Sequence, residues 1–102
     1  MAPDEIVRLA GAEGITLSVT GPETLNANPA SRMTPDVRNA IRENKWPLMN
    51  HLLEQEGDRL MTEWFENQDV LTQEQHDAYN REHDTICRWL RGVQNHLQAV
   101  AA

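Results

Sequence analysis

The sequence predicts a small α+β unit, ordered α-β-β-α-α, followed by a C-terminal helical hairpin. Three observations carry that expectation. Ile15-Thr16-Leu17-Ser18-Val19 alternates apolar with polar residues, the period of a half-buried strand. Thr34-Pro35-Asp36 places a hydroxyl cap, a proline and an acid in the order that opens a helix. His76, Tyr79, His83, Ile86, Leu90, Val93 and Leu97 are spaced alternately three and four apart, a heptad seam on one long helix.

Each element follows from local chemistry. A first helix over residues 3–12 has Pro3 where a missing N–H is no loss, and Asp4 and Glu5 at the positive end of the dipole. Ile6, Leu9 and Ala10 share a face, Glu13 would end the apolar stripe, and Gly11 or Gly14 supplies the left-handed exit. The strand from Ile15 stops at Gly21-Pro22, and residues 23–28 alternate more weakly with Leu25 and Ala27 inward. Two short strands are marginal alone, so the ribbon must lean on helices. Asn28-Pro29 closes it, and residues 30–33 connect to the Thr34 cap. Pro47 is expected to split the next apolar run into helices 35–45 and 47–56, or to kink it sharply there, with Trp46 pushed out of helical geometry. Gly57-Asp58 reads as a further boundary, although one helix could run straight through it, and Leu60, Met61, Trp64 and Phe65 form a short apolar face over residues 58–67. Thr72-Gln73-Glu74-Gln75 is a capping box, and a helix over residues 73–98 follows despite Gly92. Residues 1–56 and 57–102 are thus read as two segments, packed together as one unit.

Composition narrows the function classes. The 102 residues carry sixteen Asp and Glu against nine Lys and Arg, net −7, with Lys45 the only lysine. The halves 1–56 and 57–102 contribute −3 and −4. Nucleic-acid binding calls for a basic face that displaces phosphate counterions, and the only local hint is Arg38 with Arg42. Cys87 is alone, so no intrachain disulfide forms. No signal peptide or membrane-spanning run is visible, and a cytoplasmic protein is expected.

Catalytic constellations are thin. His83 and Cys87 lie one turn apart with His76 a heptad earlier, types that ligate zinc, but no paired short spacing supplies further ligands beyond His51 or Asp84. A Cys–His nucleophile would need an electropositive pocket that an acidic helix does not offer. Glu54, Glu56 and Asp58 read as solvated helix positions, and no phosphate-cradling glycine loop occurs. The expectation is a chain that is not an enzyme and takes no cofactor or metal. Trp46, Trp64 and Trp89 serve either as core filling or as interface anchors.

Leu9-Ala10, Gly14-Ile15-Thr16-Leu17, Gly21, Leu25, Met33-Thr34-Pro35, Ile41, Lys45 and Leu52-Leu53 together resemble the TubC-type N-terminal docking domains of bacterial peptide-synthetase and polyketide-synthase subunits. The resemblance covers residues 3–55. It implies a homodimeric α-β-β-α-α module whose exposed hairpin receives the C-terminal tail of a partner subunit. Carried onto this chain, it makes Thr16, Ser18, Thr24, Asn26, Asn28 and Arg32 the partner-binding residues. Family hairpins carry cations on the second strand, whereas this one reads Thr24-Leu25-Asn26-Ala27-Asn28 with Arg32 the nearest. A polar or basic tail is therefore expected rather than an acidic one. The heptad seam, Tyr79, His83, Ile86, Leu90, Val93 and Leu97, is expected either to join two copies or to pack within the chain. The expected function is a docking or adaptor module that holds another polypeptide. An accessory protein of a mobile-element or DNA-replication system, acting beside a DNA enzyme, is the alternative.

Overall fold

The computed structural model describes residues 2–101. Its elements are α1 (Pro3–Ala12), β1 (Thr16–Val19), β2 (Leu25–Asn28), a single 3-10 turn (Ala30–Arg32), α2 (Pro35–Glu43), α3 (Lys45–Asn67) and α4 (Gln73–Ala101). This is the α+β fold read from the sequence, ending in a helical hairpin built from α3 and α4.

The strands form an antiparallel ribbon in which Thr16 faces Asn28, Leu17 faces Ala27, Ser18 faces Asn26 and Val19 faces Leu25. Leu17 and Ala27 pack on a cluster of Ala10, Ile15 and Val37. Val19 and Leu25 pack on a second cluster made of Met49, Leu53, Leu60, Ile86 and Val93. The inner face of the ribbon thus spans both halves of the core. Gly14 turns α1 into β1 with φ +75°, a conformation open to glycine, and Ile15 N–H closes the turn on Ala10 C=O at 2.9 Å.

One boundary differs from expectation, and a second resolves between two readings. The break after α2 falls at Asn44, whose side-chain amide donates to Ala40 C=O at 2.9 Å, and not at Pro47. Pro47 lies in the first turn of α3, where backbone N–H groups have no intrahelical partner, so its ring removes nothing. Trp46 is accordingly helical. It is held there by stacking on His96 of α4, with ring centroids 3.9 Å apart. At Gly57, where a boundary and a continuous helix were both open, α3 runs unbroken, so the first arm of the hairpin begins at Lys45. A Cβ on Gly57 would lie 3.8 Å from Ile86, so this glycine sits against α4 within a continuous helix.

The loop end of the hairpin is locked by the capping box. Thr72 N–H donates to Gln75 Oε1 at 2.9 Å, and Gln75 N–H donates to Thr72 Oγ1 at 3.2 Å. Trp64 Nε1–H donates to His76 Nδ1 at 2.9 Å, and Tyr79 Oη donates to Glu63 at 3.3 Å. The heptad seam closes the hairpin on itself: Ile86 and Val93 are buried against α3, while Tyr79, Leu90 and Leu97 pack at the edge of the same cluster.

Candidate docking surface

The ribbon has two unpaired edges. Thr20 N–H donates to Thr24 C=O at 3.0 Å, which makes residues 20 and 24 a hydrogen-bonded pair. Alternation along the register then gives Ser18–Asn26 and Thr16–Asn28 the same inward bonding. The N–H and C=O groups of Leu17 and Val19 therefore point off one edge, and those of Leu25 and Ala27 off the other. Among the described residues no backbone bond from another element reaches either edge.

One groove borders β1 along Leu17–Val19, and another borders β2 at its Leu25 end. Beside β1 lies a depression of about 790 Å³ between the ribbon and the α3–α4 hairpin. Leu17, Val19, Leu52, Leu53, Ile86 and Trp89 make its apolar part, with Arg59, Arg81 and Glu82 among its polar groups. Arg59 is held between two carboxylates: its Nε donates to Glu56 at 3.0 Å, its Nη1 to Glu63 at 2.6 Å, and its Nη2 to Glu56. The hydrogen bond from Arg59 holds Glu56 below its ordinary carboxylate range, and the two carboxylates raise the Arg59 guanidinium above its own. This cation is already neutralised.

The groove beside β2 differs in charge. It encloses about 370 Å³ among Glu23, Thr24, Leu25, Met33, Arg38, Ile41, Arg42 and Lys45. Three of the chain's nine cations stand here around an apolar floor, and one carboxylate joins them. Arg38 and Arg42, four apart, share one face of α2, and Lys45 at the start of α3 joins them in the groove wall.

The residues expected from the sequence to bind a partner fall into three groups. Thr16, Ser18, Asn26 and Asn28 share the exposed face of the ribbon. Thr24 lines the basic groove. Arg32 leans over Gly14, where an added Cβ would meet its Nη1 at 2.5 Å. The structure corrects the expectation that the second strand lacks cations nearby: they come from α2 and Lys45, not from β2. The spacing of Arg38, Arg42 and Lys45 was the available signal, but nothing in the chain order placed that face beside Leu25.

His83 and Cys87 do meet, with Sγ 3.7 Å from Nδ1. Among the described residues no group of three or more His, Cys, Asp or Glu side chains converges as a metal site. Among the described residues no helix is long and apolar enough to cross a membrane. No family model matches the chain, and neither a curated protein nor a solved structure matches it.

Proposed function

We propose that this chain is a non-catalytic docking module that holds an extended, acidic segment of a partner polypeptide along the outer edge of β2. The observation that carries the reading is the coincidence of an unpaired strand edge with three cations over an apolar floor. Backbone N–H and C=O groups of Leu25 and Ala27 would pair with the incoming strand. Alternate side chains of that strand would meet Met33 and Ile41 or the cationic rim. Long-range attraction to Arg38, Arg42 and Lys45 would steer an acidic segment in against the net negative charge elsewhere. This is the role that the docking-domain resemblance implies, with charge supplied by a helix instead of the strand.

The alternative, an accessory protein beside a DNA enzyme, meets the same cations with a phosphate backbone. Three cations over so short a span make a small footprint on nucleic acid, and the net charge of −7 opposes it. Fluorescence anisotropy separates the two. The probes are a labelled peptide alternating Glu with Val, its Lys-for-Glu counterpart, and a single-stranded oligonucleotide. The acidic peptide should bind, weaken with salt, and lose about tenfold in affinity in the Arg38→Glu/Arg42→Glu variant. Binding of neither peptide, equal binding of both, or preference for the oligonucleotide would overturn the reading.

A further inference from the structure

The α3–α4 hairpin leaves one face uncovered. On the side away from the β1 groove, Met61 and Phe65 are 54% and 69% exposed, large apolar side chains one helical turn apart. Trp64 lies beside them half-buried, and across the hairpin His83 and Cys87 continue the strip on α4. Met61 lines three adjoining depressions on this face, so the patch is continuous.

The area of the chain is too large for a self-contained unit of its mass. It exposes 6867 Å² at 11.6 kDa. A compact monomer of that mass exposes about 5,800 Å², leaving an excess of about 1,000 Å². One side of a standard protein–protein interface buries about 800 Å². The radius of gyration, 15.3 Å, likewise exceeds the roughly 13 Å of a compact domain of this length.

Charge says what covers the face. Residues 60–80, which form the loop end of the hairpin, carry Glu63, Glu66, Asp69, Glu74 and Asp77 and no Lys or Arg. The other end of α4 carries Arg88 and Arg91, with Arg91 one turn beyond Cys87 on the same side, and Glu54 and Asp58 of α3 line the face near them. A two-fold axis near Met61, running through the face, would set the acidic end of one hairpin against the arginines of the other. Two hairpins packed so make a four-helix bundle, the usual way that helix pairs bury a second face.

We propose that a second copy of this chain occupies the Met61–Phe65 face, its hairpin antiparallel to the first. The heptad seam is spent inside each chain, so this interface is separate from it. It shares no residue with the β2 groove and does not depend on the docking role.

Light scattering on the full chain after size exclusion, over a concentration series, tests it. The expected mass is twice 11.6 kDa. Phe65→Glu should weaken association about tenfold or more without changing helical content, because the site is exposed within each chain. Arg91→Glu should also weaken it, and Glu66→Lys combined with Arg91→Glu should restore part of the loss. A monomer throughout the series would overturn the proposal, as would a dimer indifferent to Phe65→Glu. A dimer sensitive to Phe65→Glu but indifferent to both charge variants would overturn the antiparallel arrangement.

Discussion

Val93 offers the most direct test of where the heptad seam is used. Its side chain is 0% exposed and packs with Met49, Leu53, Leu60 and Ile86. Val93→Ala removes two carbon groups, worth about 1.6 kcal/mol of transfer free energy at about 0.8 each. The unfilled space adds to this, since α3 and α4 relax only partly, and the total comes to about 2 kcal/mol. For a domain near this length that loss lowers Tm by about 8–16 °C. Urea unfolding followed by far-ultraviolet circular dichroism reads the free energy. Val100→Ala, at a position 73% exposed on the same helix, is the control and should stay within about 0.5 kcal/mol of the parent. The comparison is best repeated in the Phe65→Glu background, which removes self-association. If the seam belongs to the intrachain core, the loss at Val93 is the same in both backgrounds. A loss that disappears in the Phe65→Glu background, or one no larger than the control, would refute the intrachain assignment.

Gly92→Ala should stabilise by about 0.5–1 kcal/mol in the same unfolding assay, because α4 is helical there and nothing lies within 4 Å of the added Cβ; a loss would mean that the helix depends on glycine at this point. Tyr79, the chain's only tyrosine, should titrate above the free phenol when followed by tyrosinate absorbance, chiefly through desolvation and then through repulsion from Glu63, to which its hydroxyl donates. Because the folded state holds this proton more tightly than the unfolded chain, the associated stability is present below about pH 10 and falls as the pH rises further. Glu63→Gln should bring the titration down, and an unchanged midpoint would discount the contact.

Local chemistry carried most of the fold into the sequence. Pro3, the Thr34 cap and the Thr72–Gln75 box each act within one helical turn, and the helices they open begin where those residues place them. The alternation of Ile15, Leu17 and Val19 likewise predicted the buried side of the ribbon. Pro47 misled, and Gly57 left two readings open, for a shared reason. The cost of proline depends on whether its missing N–H had a partner, and the meaning of glycine on what stands opposite it. Position in the helix answers the first, and Ile86 of the neighbouring helix answers the second. The basic groove was harder still. Leu25, Met33 and Lys45 reach it from three stretches of chain, and only the fold that buries Val37 of α2 with Leu17 and Ala27 turns a helix face into a rim. The pattern of Arg38, Arg42 and Lys45 was visible; its neighbour was not.

The β2 groove and the Met61–Phe65 face lie on different parts of the chain and share no residues, so one chain could engage both at once. An antiparallel pair would carry two basic grooves, displaced toward opposite ends of the assembly. The long dimension of a single chain is 46 Å, so a short peptide fills one groove and cannot bridge both. A partner presenting two acidic segments on a linker long enough to span the pair would gain a high effective concentration at the second groove. Its apparent affinity should then exceed that of the single segment by about a hundredfold or more. In the Phe65→Glu variant this gain should vanish while single-segment binding stays as it was. A bivalent advantage that survived monomerisation would instead place a second acidic-segment site on each chain, and the neutralised Arg59 in the β1 groove argues against that groove providing it.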